Sequence, residues 1–190
     1  MKYLARFSVS LLLSLACASA AGAQETKCTL GSAQSPELRG LRLGMTSEQA
    51  KARYKVVEAE PEDEFHVIRL RLEPGDDQLA AEAVRDIAVE LIRDKVVTIR
   101  LVYSPTERWK DQHEFTEGLS KSFRLPPVWK PEKVGSTITG MMLECAGFKV
   151  SATLIGGKIP VLYLSSLEAE PMLLRRQAEK ERRLREFFKP

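Results

Sequence analysis

The feature that most constrains the fold of this chain is an alternating apolar pattern in residues 86–103, DIAVELIRDKVVTIRLVY. Apolar residues occupy every second position on both sides of a polar break at residues 93–95: Ile87, Val89 and Leu91 before it, and Val97, Ile99, Leu101 and Tyr103 after it. A period of two is typical of strands with one buried face, and two such runs around a polar break predict a β-hairpin. We therefore expect an antiparallel sheet at the centre of the protein.

Similar β-like patterns occur in four further segments: residues 65–72, 137–145, 148–155 and 159–164. The dipeptide Ala146-Gly147 and the run Gly156-Gly157-Lys158 separate the last three segments and predict tight turns. Residues 130–136 are polar and predict a linker, and the Ala-rich residues 78–85 predict a helical turn.

A capping box predicts the first helix. Thr46 is followed three residues later by Gln49, so the Thr hydroxyl can accept a bond from the helix start while Gln49 reaches back. Gly44 permits a sharp turn before the cap. We expect a short helix from Ser47 to about Lys55.

A second capping box, formed by Ser104 and Glu107, predicts another helix with Pro105 at its first position. This helix carries an apolar stripe in which the residues are four apart: Phe115, Leu119 and Phe123. The pair Pro126-Pro127 ends it, because proline removes a backbone donor and disfavours helix in the preceding residue.

The predicted order is helix, strand, strand, strand, twice over. It indicates an α+β protein in which the helices cover one face of an antiparallel sheet. The two units span residues of about 38–103 and 104–165 within a body of residues 24–171. Both a single six-stranded sheet and two smaller sheets fit this order.

Residues 172–190 predict a basic C-terminal helix, with seven basic and three acidic residues. Basic and aromatic side chains on one helix are typical of contact with a partner or an anionic membrane, and the candidates are Arg175, Arg176, Arg182, Arg183, Phe187 and Phe188. The alternative is a solvated helix stabilised by the pairs Glu179–Arg183 and Glu181–Arg185.

Residues 1–23 have the form of a secretory signal peptide: Lys2 and Arg6 precede an apolar run that is too short to span a bilayer, and cleavage is expected after Ala23. We expect a periplasmic or secreted product. Lipid attachment at Cys17 is a second interpretation, but Ser14 stands where a lipoprotein signal prefers Leu.

The predicted mature chain retains two cysteines, Cys28 and Cys145. In an oxidising compartment they are expected to form a structural disulfide, which would constrain the unfolded chain by about 4–5 kcal/mol. A redox or metal role would need a CxxC motif or nearby histidines, and the sequence has neither pattern.

The turn Gly44-Met45-Thr46, with the hairpin that follows it, resembles a group of small envelope proteins. The group includes the outer-membrane assembly lipoproteins of the SmpA/OmlA type and the secreted β-lactamase-inhibitory protein. In these proteins a Gly-Met-Ser/Thr turn opens a helix that precedes a small antiparallel sheet, and the inhibitory protein carries the unit twice. The resemblance implies a binding role without catalysis.

No catalytic pattern is recognisable in the sequence. The two histidines, His66 and His113, lack metal-ligand spacing, and the serines lack the setting of a nucleophile. Removal of residues 1–23 takes away two of the 29 basic residues and none of the 26 acidic ones, and the near-neutral balance that remains does not favour nucleic acid as a partner. We expect no metal and no cofactor.

The sequence thus favours an exported, non-enzymatic module that binds another envelope or extracellular protein. Two alternatives remain open: a structural factor attached to an anionic membrane surface through the C-terminal helix, and a hydrolase with an unrecognised site.

Overall fold

The computed structural model describes residues 27–74, 84–105, 108–134 and 138–187. The expected signal peptide and Phe188 lie outside these residues. Most of the helical turn expected at residues 78–85 also lies outside them. Its last two residues, Val84 and Arg85, are described and belong to a strand.

The described chain contains three α-helices and eight strands. The helices are α1 (Ser47–Lys51), α2 (Gln112–Phe123) and α3 (Glu170–Phe187). The strands are β1 (Val56–Glu60), β2 (Val67–Leu72), β3 (Val84–Ile92), β4 (Lys95–Tyr103), β5 (Lys130–Val134), β6 (Ile138–Glu144), β7 (Phe148–Ile155) and β8 (Ile159–Ser166).

All eight strands form one antiparallel sheet in the order β1-β2-β3-β4-β8-β7-β6-β5. Strands β1–β4 and strands β5–β8 each run as a meander, and β4 pairs with β8 to join the two groups, with Thr98 opposite Ser165 and Val102 opposite Val161. The α+β class and the antiparallel sheet are therefore confirmed, and the strands of the described chain share one sheet.

The prediction of six strands was wrong, because β1 and β5 were missed. Residues 130–136 were interpreted as a linker, yet Lys130–Val134 pairs with β6 along its whole length. Both missed strands lie at the edges of the sheet. An edge strand needs only one partner and faces solvent, so it does not require a strong apolar alternation.

The predicted start of the second helix was also wrong. Ser104 and Pro105 are not helical, Thr106 and Glu107 lie outside the described residues, and α2 begins at Gln112 with Asp111 as its cap. The Asp111 carboxylate accepts from the backbone N–H of Glu114 at 2.9 Å. The first helix is shorter than expected and ends at Lys51, but its capping box between Thr46 and Gln49 is present.

The inner face of the sheet carries the hydrophobic core, and α1 and α2 cover it. Alternate residues of the central strands are fully buried on this face: Ile87, Val89, Leu91, Ile99, Leu101, Phe148, Val150, Leu162 and Leu164. Ala50 of α1 and Phe115 and Leu119 of α2 pack against them. Val97 does not belong to this set, because the pairing shifts by one residue beside Leu91 and Val96 is buried instead.

A side chain of α2 also completes the hydrogen bonding of β7 where its pairing with β6 stops. The Gln112 amide donates to the Ala152 carbonyl at 3.0 Å and accepts from the Leu154 N–H at 2.7 Å. Since β6 pairs with β7 only as far as Ala152, Gln112 satisfies backbone groups that the next strand does not reach.

The segment before Leu38 is fixed to the inner side of the sheet by the predicted disulfide. Cys28 and Cys145 are bonded and buried, and their separation in sequence is 117 residues. Next to the disulfide, Gly147 donates to the Leu30 carbonyl at 3.2 Å and its own carbonyl accepts from the Ser32 hydroxyl at 3.1 Å.

Candidate functional site

The outer face of the sheet, opposite the core, is strongly charged. One row of directly paired residues crosses four strand junctions on this face: Glu58, Arg71, Ala88, Arg100 and Tyr163. The neighbouring row begins with Glu60, Arg69 and Glu90. Because side chains directly opposite each other on one face are neighbours, these two rows gather opposite charges over β1 to β4.

Six side chains of these strands line a cleft of about 300 Å³, which we call the charged cleft: Glu58, Glu60, Arg69, Arg71, Asp86 and Arg100. Three are cationic and three are anionic, so the cleft has no formal net charge. Its cationic members are all arginines, and the planar guanidinium group is well suited to recognising carboxylates and carbonyl groups.

Asp86 connects the two central arginines of the charged cleft. Its carboxylate accepts from Arg71 Nε at 2.7 Å and from Arg100 Nη2. In the row that crosses the sheet, the small residue Ala88 lies between these arginines, which leaves room for both to turn towards Asp86. Burial alone would raise the pKa of Asp86, but the hydrogen bonds and charge of Arg100 and then Arg71 outweigh it and lower the pKa.

The ion pairs at the rim of the cleft are looser than those at its centre. Arg69 lies 3.3 Å from Glu60 and Arg71 lies 3.7 Å from Glu58, and the side chains of both glutamates are at least two-fifths exposed. Arg100 Nε is buried and has no hydrogen-bond partner in the described part of the chain. Each guanidinium carries more N–H groups than these contacts use. The exposed N–H groups of Arg69 and Arg71 can therefore donate to further anionic or carbonyl oxygens.

Helix α3 lies on the outer face beside the charged cleft and is attached mainly through charged groups. Arg176 is the buried residue of this helix and binds two acids, Asp63 in the β1–β2 turn and Glu90 on β3, the latter at 2.7 Å. At the start of the helix Glu170 accepts from Lys149 of β7 at 2.5 Å.

Asp63 is a fixed part of this attachment. Its carboxylate also accepts from the backbone N–H groups of Phe65 and Val67 at 3.0 and 3.1 Å. Burial tends to raise the pKa of Asp63, but the bond from Arg176 and the two backbone bonds hold it below the ordinary value.

Most of the arginines proposed from the sequence for partner or membrane contact are engaged within the protein. Arg176 binds the body, Arg183 binds Glu64 at 2.7 Å as well as Glu179, and Arg182 binds Glu179 and Glu186. The predicted pairs Glu179–Arg183 and Glu181–Arg185 are present, at 2.9 and 3.9 Å. Arg175 is exposed, and Phe187 is 82% exposed.

The turn Gly44-Met45-Thr46 has a structural role that the sequence did not indicate. Gly44 has a φ of +81°, and its N–H donates to the Val96 carbonyl while the Val96 N–H donates to Met45, both at 2.8 Å. The next residue, Ser47, donates its backbone N–H to Asp94 at 3.1 Å. The turn therefore fixes α1 against the β3–β4 hairpin, and it does not line the charged cleft.

The two histidines do not form a site in the structure. His66 pairs with Glu62 at 2.7 Å and His113 with Glu117 at 3.4 Å, each with a residue four positions away on its own segment. Within the described ranges, no group of three or more His, Cys, Asp or Glu residues is arranged to hold a metal ion.

Sequence reasoning missed the charged cleft because its members come from four strands. The polar positions of β3 and β4 were visible between the apolar ones, but only the register of the strands shows that Arg71, Asp86 and Arg100 meet.

A second depression, of about 450 Å³, lies beside the disulfide, and its lining includes Lys27 and Met142.

No protein-family model matches this chain, and no curated protein or solved structure matches it. Among the helices in the described part of the chain, none has the length and apolar character needed to cross a membrane.

Proposed function

We propose that this protein is an exported, non-enzymatic module that binds another protein of the envelope or the extracellular space, and that the charged cleft is its binding surface. The observation that carries the proposal is an arginine-rich cleft on a rigid sheet whose other face is already used by the core. Arginine is enriched among the residues that dominate binding energy at protein interfaces.

The edges of the sheet are less suitable for a partner than the outer face. Strand β1 has only five residues and an irregular register at Val57, and β5 contains Pro131, which has no backbone N–H to donate. Such features discourage the pairing of a further strand at a sheet edge. The inner face is covered by α1 and α2, so the outer face remains.

The chemistry of the cleft favours recognition over catalysis. The lowered pKa of Asp86 keeps it ionised as an ion-pair partner, whereas a general acid or base near neutral pH would need a raised value. Arg71, Asp86 and Arg100 are held in one network, which orients the donors before a partner arrives and reduces the entropy lost on binding.

Export is supported by the form of residues 1–23 and by the disulfide between Cys28 and Cys145. Disulfides persist in the periplasm and outside the cell and are rare in reducing compartments. Mass spectrometry of the native protein tests this part of the proposal: we expect a chain that begins at Gln24 and has no free thiol.

The element order also supports the resemblance to the SmpA/OmlA and β-lactamase-inhibitory group. A helix followed by four antiparallel strands occurs as α1 with β1–β4 and again as α2 with β5–β8. We infer from this a tandem of two related units, each with one more strand than the sequence indicated, and β4 and β8 would then occupy equivalent places at the junction.

The binding proposal is tested by a charge reversal with a matched control. Arg71→Glu changes the charged cleft, and Arg42→Glu changes a guanidinium of similar exposure that pairs with Glu37 outside the cleft. With tagged protein in the native envelope extract, we expect a partner that co-purifies with the parent chain and with Arg42→Glu but not with Arg71→Glu.

Two results would contradict the proposal. One is a partner that is retained by the folded Arg71→Glu protein, and the other is the absence of any partner for the parent chain. Near-ultraviolet circular dichroism of each variant checks that the fold is kept. We expect it to be kept, because the changed side chains lie on the solvent side and not in the core.

A further inference from the structure

The charged cleft and the second depression lie at opposite ends of one row of side chains on the outer face of the sheet. Arg71 and Arg100 line the charged cleft, whereas Met142 and Lys130 line the depression beside the disulfide. Directly paired residues share a face of the sheet, and an unbroken series of such pairs joins the two ends. We call this series the outer row: Arg71, Ala88, Arg100, Tyr163, Ser151 and Met142.

Helix α3 borders the outer row on one side. Glu170, at its start, accepts from Lys149 of β7, and Arg176 donates to Glu90 of β3 at 2.7 Å. Lys149 and Glu90 each lie two residues from a member of the outer row on the same strand, and so on the same face. The helix therefore runs beside the row between β3 and β7 and leaves the row itself uncovered on its own side.

The two ends of the outer row differ in chemistry. At the charged cleft, the exposed N–H groups of Arg69 and Arg71 can donate to the oxygens of a carboxylate. In the middle, Tyr163 and Ser151 are half-buried and carry hydroxyl groups, which can bond to peptide groups. At the far end, the depression has an apolar part that suits an apolar side chain, and it is formed by Val128, Met142, Ala146 and the disulfide of Cys28 and Cys145.

The distance between the two ends fits an extended polypeptide. Arg71 on β2 and Met142 on β6 are five strand spacings apart, so at about 4.8 Å for each spacing they are separated by about 24 Å. An extended chain rises about 3.3 Å per residue, and about seven residues therefore span this distance. The strands that it would cross are paired on both sides, so recognition would come from side chains and not from a free strand edge.

We propose that the outer row binds an extended segment of the partner protein, with an acidic side chain at Arg69 and Arg71 and an apolar side chain, about seven residues away, in the depression beside the disulfide. The charges and the apolar surface of the row are complementary to such a segment at its two ends. This inference rests on the proposed function, because the charged cleft is one end of the row, and it adds the chemistry of the partner.

Selection of phage-displayed random dodecapeptides on the purified protein tests the inference. We expect the enriched peptides to carry Asp or Glu and a large apolar residue about seven positions apart. A synthetic peptide of the enriched sequence is then measured by fluorescence anisotropy. It should bind Arg71→Glu about tenfold more weakly than the parent protein, because the donor to its acid is replaced by a like charge. It should bind Met142→Gln about fivefold more weakly, because apolar contact is lost without a change of charge.

Ile155→Gln is the matched control, because Ile155 is an exposed apolar residue at the end of β7, four residues from Ser151 of the outer row. It should bind the peptide like the parent protein, and near-ultraviolet circular dichroism should show the same fold in all variants. Affinity that is lost in Arg71→Glu but kept in Met142→Gln would overturn the inference and leave the charged cleft as the binding surface. Affinity that is kept in Arg71→Glu would overturn both, and a selection that enriches no peptide would overturn the inference.

Discussion

Gly118 shows how one residue determines a contact between α2 and the segment before it. A Cβ placed on Gly118 would lie 2.4 Å from Cη2 and 2.6 Å from Cζ3 of the Trp109 ring. The indole cannot withdraw easily, because it stacks at a tilt on the buried Phe115, with ring centroids 5.7 Å apart, and the Arg108 guanidinium lies over it. The helix therefore keeps a residue of low helix propensity in its interior.

We predict that Gly118→Ala destabilises the protein by about 1–3 kcal/mol through overpacking, although the same change in an exposed helix would stabilise it by about 1 kcal/mol. Urea denaturation measures the change in the free energy of unfolding. Ser122→Ala, at an exposed position of the same helix, is the control and should have little effect. A gain in stability for Gly118→Ala would show that Trp109 does not occupy this place.

The acidic residues of the outer face give the stability a defined pH dependence. The pKa of Asp63 and that of Asp86 are lowered in the folded protein. A carboxyl whose folded pKa lies below its unfolded value of about 3.9 contributes stability above that value. The contribution is lost as the pH falls through the folded pKa.

We therefore predict that the free energy of unfolding decreases as the pH is lowered below about 4. The decrease should be less steep for Asp63→Asn than for the parent protein, because the variant lacks the Asp63 carboxyl and keeps that of Asp86. Urea denaturation on both sides of this pH measures the difference. Equal slopes for the two proteins would contradict the ion pair between Asp63 and Arg176.

Among the elements, α3 is the one that depends most on a single side chain. Arg176 joins it to both Asp63 and Glu90, and the arginine side chain is only 10% exposed. Leu174, Leu184 and Phe187 of the same helix remain exposed, so apolar burial contributes little to its attachment.

We predict that Arg176→Ala lowers the free energy of unfolding by about 1–3 kcal/mol, because it leaves two partly buried carboxylates without a partner. Amide hydrogen exchange in α3 should also become faster. The adjacent Arg175→Ala, at an exposed position, should change stability by less than about 0.5 kcal/mol. Similar effects of the two changes would mean that Arg176 is not the anchor of the helix.

The sequence predicts elements well where a periodic pattern and a unique boundary signal agree. Phe148–Ile155 forms the strand expected for residues 148–155, because its inward residues alternate and turns lie on both sides. The predicted start of α2 was wrong because two residues have an acid three positions later, as a helix cap requires: Ser104 and Asp111. In the structure Asp111 is the cap. Strand β5 was missed because Pro131 and three charged residues, acceptable at an edge, resemble a linker.

Contacts between distant segments were beyond the sequence pattern. Nothing in the sequence shows that β4 pairs with β8, or that Arg176 lies against Glu90, since both depend on how the two groups of strands are placed. The same holds for the charged cleft, where Arg71 and Arg100 both bind Asp86 although they are 29 positions apart in the sequence. The disulfide was predictable because only two cysteines remain after the expected cleavage.

For the molecule as a whole, the disulfide connects the segment before α1 to the end of β6 on the far side of the β4–β8 junction. It closes a loop with a sequence separation of 117 residues. We predict that Cys28→Ser with Cys145→Ser lowers the free energy of unfolding by about 2–5 kcal/mol, measured by urea denaturation. Dithiothreitol should reduce the stability of the parent protein but not that of the variant, and an unaffected parent protein would contradict a structural disulfide.

The proposed function depends on the binding of a protein partner at the charged cleft. Site-specific photo-crosslinking in the producing cells tests it most directly, with a photoreactive phenylalanine analogue in place of Glu58, an exposed rim residue of the cleft. The same analogue in place of Lys51, exposed on α1, is the control. We predict a covalent protein adduct from position 58 and none from position 51. An adduct from position 51 with none from position 58 would contradict the claim.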